Sequence, residues 1–250
     1  MAFSIFKNRE GTKEEWLEAR KKGIGGSDVA ALCGVSRWKS PLEIYLEKIG
    51  ERNSSAEGEC VYWGTVLEDL VAAEFTKRSG LKVRRINAIM QSETYPFMIA
   101  NVDRTVVGTR KGLECKTTGA WNLKEWNLDK LPDEYYLQCQ HYMTVMEWDS
   151  MYIAVLVGGQ KFLWKEIPRD DDMICKLVQI EEGFWERILR RIPPEPDGRT
   201  SSETMQTLFP QARKDSVPLP EEAKDLVTEY LRYAQEEKSA KEEKQARENR

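Results

Sequence analysis

The chain has 250 residues, of which 40% are hydrophobic and eight are Trp, enough to bury a core without disulfide or metal staples and far from a disordered composition. The formal net charge is −4, so no bulk basic balance announces a nucleic-acid binder. Residues 221–250 alone hold nine acids and seven bases, which leaves the rest of the chain room for a local basic groove.

Five cysteines, an odd number with no CxxC pair, argue for free thiols in a reducing compartment and against a disulfide framework or zinc site. No signal peptide and no run of about twenty apolar residues is visible. A cytoplasmic protein of a bacterium or phage-infected cell, away from membranes, is therefore expected.

Thr12 to Glu15 form a capping box that opens a short helix with Trp16 and Leu17. Gly25, Gly26, Ser27 and Asp28 open a second helix, with Ser27 expected as its cap and Gly34 as its stop. Pro41 starts a third helix, with Leu42, Ile44, Tyr45, Leu46 and Ile49. A polar loop over residues 50–58 leads to a fourth helix, from about Val61 to Ser79. Its expected apolar stripe is Val66, Leu67, Leu70, Val71 and Phe75.

The pattern then changes to strands over Leu81–Ile89, Met98–Val107 and Gly112–Thr118. A helix from Pro132 carries Gln138, Gln140 and Tyr142. A hairpin turns near Gly158 and Gly159, and a helix runs from about Asp170 to Arg191, with Ile174, Leu177, Ile180, Phe184, Trp185 and Ile188 on one side. Pro193, Pro194 and Pro196 break the chain. This gives a core domain over 1–196, a linker over 197–218 and a charged helical tail over 219–250, suited to oligomerisation or partner binding. The order of elements is that of an α+β or mixed α/β core.

Chemistry concentrates around Asp103, Glu114 and Lys116. A turn at 108–111 would close a hairpin that sets Asp103 roughly opposite Lys116. Glu114 and Lys116, two apart, share a strand face. Two carboxylates and the backbone carbonyl of Cys115 suit a hard cation such as Mg2+. Lys116 would place positive charge beside an attacked phosphate or help deprotonate the attacking water. A surface salt-bridge ladder is the plain alternative.

The segments Gly23–Leu32, Trp38–Leu46 and Trp63–Glu68, the Asp103/Glu114/Lys116 set and Gln138–Tyr142 follow one another as in the YqaJ family. These proteins resemble lambda exonuclease and belong to the PD-(D/E)XK nucleases, and the resemblance covers about residues 12–195. Where the family has Pro-Asp, this chain has Val102 and Asp103.

The resemblance implies a restriction-endonuclease-like core, a central mixed sheet flanked by helices. It implies Asp103, Glu114 and the Cys115 carbonyl as metal ligands, with Mg2+ as the ion and Mn2+ as a substitute. Lys116 takes the part of the catalytic lysine. Glu68 would hold a second metal or its water, and Gln138 would stand near the nucleophilic water.

Arg20 and Ser27 would grip a 5′ phosphate at a helix start, against the plain reading of an N-cap and a surface arginine. Trp38, between Arg37 and Lys39, is either a DNA contact or a packing anchor. The implied activity is a 5′ to 3′ exonuclease on linear duplex DNA. It would leave 3′ single strands for an annealing protein and work as a ring-shaped homotrimer. A restriction-like endonuclease and a non-catalytic DNA-end binding protein are the alternatives.

Overall fold

Asn101, Val102 and Asp103 carry the chain from one β-sheet into another, and the rest of the architecture is arranged around that crossing. The computed structural model describes residues 2–7, 11–52, 58–126, 131–198, 201–209, 218 and 220–249. The polar loop expected over 50–58 lies mostly outside the described residues. The chain divides into two compact units, 1–208 and 209–250.

In the first unit, β1 (Ala2–Lys7), β4 (Ala88–Ser92), β5 (Met98–Ala100) and β2 (Ile24–Gly25) form one sheet in that order. A second sheet has the order β3 (Val83–Arg84), β6 (Arg104–Val106), β7 (Lys111–Thr118), β8 (Ser150–Val157) and β9 (Lys161–Pro168). Both are mixed: β2 runs parallel to β5 and β7 parallel to β8, while the other pairs are antiparallel.

Two stretches expected as single strands are thus each divided between sheets. Leu81–Ile89 gives β3 to one sheet and the start of β4 to the other, with Asn87 turning at φ 52° between them. Met98–Val107 gives β5 and β6. Continuous β-pattern cannot signal a change of sheet, because both halves alternate in the same way. Strand β1, with its half-exposed pattern, was not legible in the sequence, and it pairs along the edge of β4.

Helix α5 (Asp133–Met146) is the central support: nine of its residues, from Leu137 to Val145, are buried. Its Cys139 and Met143 pack with Ile153 and Val155 on one face of the second sheet. On the other face, Val71 and Phe75 of α4 (Glu59–Ser79) pack with Leu113, Tyr152 and Ala154. The alternation of β7 and β8 therefore sends odd and even residues into two different cores.

Helices α2 (Gly26–Leu32), α3 (Pro41–Ile49) and α6 (Asp171–Arg190) close a further cluster, in which Val29, Ile44, Leu177 and Phe184 are buried. Helix α1 (Lys13–Arg20) begins on the expected capping box of Thr12 and Glu15.

Three expected details differ. The cap of α2 is Gly25, with no side-chain cap bond from that residue; Asp28 accepts the Gly25 amide instead, at 2.9 Å, and Ser27 is the second residue of the helix. On α4, Val66 and Leu70 are exposed, 47% and 52%, and the buried residues are Val71, Ala72 and Phe75. On α6, Ile180 is exposed and the neighbouring Glu181 is fully buried, because its Oε1 meets His141 Nδ1 at 2.9 Å.

Within the stretch expected as a linker lies α7 (Ser201–Leu208). Its Thr204 hydroxyl accepts a hydrogen bond from Arg52 at 2.9 Å, and Met205 packs on the α2/α3/α6 cluster. The second unit contains α8 (Glu221–Glu248). Leu226, Val227, Tyr230 and Leu231 make its apolar stripe, and all four are exposed. Among the described residues no helix is long and apolar enough to cross a membrane.

Candidate active site

The crossing at 101–103 opens a cleft of about 390 Å³. It is lined by Trp16 and Arg20 from α1, Gly25 to Ser27 from the start of α2, and Thr65 and Glu68 from α4, together with Asn101, Asp103, Glu114 and Tyr142. Five residues singled out in the sequence, Arg20, Ser27, Glu68, Asp103 and Glu114, therefore share one wall-to-wall space.

Strand β6 pairs with β7 through Arg104 opposite Leu113 and Thr105 opposite Gly112. Continued one step, that register sets Asp103 beside Glu114, two residues from the expected position opposite Lys116. The slip comes from the place of the hairpin loop, not its length: β6 ends at Val106 and β7 begins at Lys111, so the turn falls one residue earlier than the sequence suggested. The convergence survives, since a shift of two keeps every side chain on its face.

Asp103 Oδ2 accepts the Cys115 amide at 2.8 Å. In a strand, one residue's N–H and C=O point to the same side, so the Cys115 carbonyl also faces Asp103. Glu114 is almost fully buried, 4% exposed. Its Oε1 accepts from Lys116 Nζ at 2.7 Å and from Gln138 Nε2 at 2.8 Å. Its Oε2 is buried with no hydrogen-bond partner among the described residues. Gln138 also donates to the Tyr142 hydroxyl at 3.2 Å, and Lys116 lies over the Tyr135 ring, 5.1 Å from its centroid.

The electrostatics follow from this crowding. Burial and then the Glu114 charge push the Asp103 carboxyl well above the ordinary value of 3.8. Burial alone would lower Lys116, but the Glu114 and Asp103 carboxylates outweigh it and raise its pKa. Two adjacent carboxyls, Asp103 half-buried and Glu114 buried with an unpaired oxygen, constitute a site short of positive charge.

Among the described residues no three His, Cys, Asp or Glu side chains are gathered so as to hold a metal by side chains alone. The set on offer is two carboxylates and a carbonyl, an oxygen set that fits a hard divalent cation with water completing its shell. Glu68 is otherwise engaged: it forms an ion pair with the buried Arg104, which also bonds Asp69 at 2.6 Å.

At the other end of the cleft, Arg20 stacks over Trp16 at 4.9 Å from the ring centroid and donates to Ser27 Oγ at 3.1 Å. Trp16 was not singled out in the sequence for this role; its i,i+4 spacing to Arg20 is the signal that was there. Trp38 does not line the cleft. It is 80% exposed and so anchors no packing among the described residues; its loop is tied by the Arg37–Glu125 pair at 3.0 Å to the end of the short helix at 120–124.

This combination of fold and site belongs to a known class: residues 15–149 match the YqaJ-like viral recombinase domain, and the chain is a member of that family. The matched span holds every site residue named above from Arg20 to Gln138. The protein YqaJ of Bacillus subtilis (strain 168) is 47% identical over 203 residues, which is 80% of this chain and 64% of that protein. This chain thus spans less than two thirds of the length of that relative.

Among solved structures, the fold is similar to the alkaline exonuclease LHK-Exo of Laribacter hongkongensis, with a TM-score of 0.62 at 20% identity over 72% of this chain and 94% of that one. LHK-Exo in complex with dAMP gives the same TM-score and identity, over 78% of this chain and 97% of that one. A phage related exonuclease from Haemophilus somnus 129PT matches with a TM-score of 0.55 at 13% identity, over 68% and 96% of the two chains.

Proposed function

We propose that this protein is a divalent-metal-dependent DNA exonuclease that digests linear duplex DNA from its ends, 5′ to 3′. The observation that carries the reading is the buried Glu114 Oε2, without a partner and adjacent to Asp103, in a cleft whose far end presents Arg20 and Ser27. One end is built for a cation and the other for an anion. The terminal phosphate and the metal of a phosphodiester hydrolase are such a pair.

Asp103, Glu114 and the Cys115 carbonyl would hold Mg2+, with Mn2+ as a substitute. When bound, such an ion supplies Lewis-acid polarisation of the phosphate and a more acidic water. Lys116, held on Glu114, puts an ammonium beside the attacked phosphate and offsets charge that builds on its oxygens. Gln138 fixes Glu114 Oε1 and leaves Oε2 to face the ligand. Arg20 and Ser27 bind the terminal phosphate through charge-assisted hydrogen bonds, and so set which bond reaches the metal end. Trp38 offers an exposed indole on which a base can stack. Glu68 acts through Arg104, holding the start of β6 and with it Asp103.

Structural neighbours that are exonucleases support this reading. Release of 3′ single strands to an annealing protein, assembly as a homotrimer, a cytoplasmic setting and a partner-binding role for α8 belong to the same reading and rest on the family likeness.

The test is incubation with Mg2+ and two substrates, end-labelled linear duplex and closed circular DNA. Loss of label from 5′ ends with the circle intact is the expected result. Cutting of the circle would favour a restriction-like endonuclease, and no degradation by folded protein would favour a DNA-end binding role.

A further inference from the structure

Behind the Arg20–Ser27 end of the cleft lies an ion pair that the proposed reaction does not use. Asp28, in the first turn of α2, is 1% exposed, and Lys48, in the last turn of α3, is 9% exposed. Lys48 Nζ lies 2.7 Å from Asp28 Oδ2 and donates to the Arg20 carbonyl at 2.9 Å. Arg20 Nη2 lies farther from the same carboxylate, 3.7 Å from Oδ1.

Buried ion pairs seldom stabilise a fold relative to apolar residues of the same size, so this one calls for another use. The Asp28 charge is present: burial pushes its carboxyl up, but Lys48 and Arg20 outweigh that and hold it well below the usual range. The carboxylate fixes the bend at the start of α2 by accepting the Gly25 amide at 2.9 Å. An unaccompanied carboxylate so close to Arg20 would cancel the guanidinium charge and repel an incoming phosphate. With Lys48 present the trio carries a net positive charge, and the closer cation on Asp28 is Lys48.

We propose that Lys48 is a positioning residue of the anion pocket: it takes up the charge of Asp28 and ties down the Arg20 backbone, leaving the Arg20 guanidinium to a terminal phosphate. This rests on the reading of the cleft as an end-binding site.

The experiment uses the full chain and a DNA hairpin with a single 5′ end, either phosphorylated or hydroxyl. The ratio of the two dissociation constants is measured by fluorescence anisotropy in EDTA, with melting curves to show that each variant is folded. Wild type should prefer the phosphorylated end. Lys48→Met should lower that preference about tenfold, the scale of one charge-assisted contact. The double variant Asp28→Asn/Lys48→Met, which removes the carboxylate as well, should restore it. If Lys48→Met fails to fold, Lys48→Gln carries the same expectation.

A ratio unchanged in the folded Lys48 variant while Arg20→Ala loses the preference would overturn the role of Lys48 and leave the pocket standing. So would a double variant as poor as the single one. No preference in wild type, or none lost in Arg20→Ala, would overturn the pocket itself and the proposal with it.

Discussion

The Cys115 amide on β7 donates to Asp103 Oδ2 at 2.8 Å, across the point where β6 ceases to pair with β7. That bond replaces a backbone partner with a carboxylate and sets it beside Glu114. It also makes the site electrostatically uncomfortable without a cation.

The first prediction follows from that discomfort. Asp103 is an acid whose folded pKa lies well above its ordinary 3.8, so its ionisation opposes folding. The penalty is absent below about 3.8 and grows as pH rises from there through the folded pKa. Asp103→Asn should therefore raise the melting temperature of metal-free protein at neutral pH, by a few degrees, with a smaller gain near pH 4. Mg2+ should stabilise wild type and not the variant. Melting curves across pH, with and without Mg2+, check both parts.

Lys116→Ala should lower the single-turnover rate on linear duplex by about 10²–10⁴. Metal binding should persist in this variant, because the carboxylates remain. Quench-flow kinetics beside a metal titration separates the two effects.

Glu68→Gln should act mainly through Arg104. The guanidinium keeps Asp69 but loses its other carboxylate, so Tm should fall by a few degrees. Activity should fall far less than in Lys116→Ala, with an unchanged dependence on metal concentration. A changed metal dependence would return Glu68 to the ligand set.

Gly26 tests the packing behind the cleft. A Cβ there would come within 2.5 Å of Tyr142 Cε1, and Tyr142 accepts from Gln138. Gly26→Ala should cost about 1–3 kcal/mol through overpacking and lower activity by displacing Gln138. Gly183→Ala is the contrast: nothing lies within 4 Å of its Cβ, so Tm should hold or rise. Thermal melts of the two variants, with a degradation assay for Gly26→Ala, decide the matter.

The sequence made the helices legible because their boundaries carry local chemistry. Thr12 with Glu15, and Pro41, each start a helix where the structure does. The Asp103/Glu114/Lys116 grouping was legible for a similar reason: strand alternation fixes which residues share a face. The register was not, because the position of the turn decides it, and no residue there fixes 107–110 over 108–111. The second sheet was hidden by Asn101 to Asp103 continuing an extended pattern across the crossing. Lys48 was hidden altogether. A lysine in an apolar helix reads as a solvated end, and only the fold brings Asp28 to it.

The central claim, that Asp103 and Glu114 with the Cys115 carbonyl hold a divalent cation, is tested most directly by titrating metal-free protein with Mn2+ and following free ion by electron paramagnetic resonance. Wild type should show specific binding, displaced by excess Mg2+. The folded double variant Asp103→Asn/Glu114→Gln should show none. Equal binding by both proteins, or none by wild type, would contradict the account.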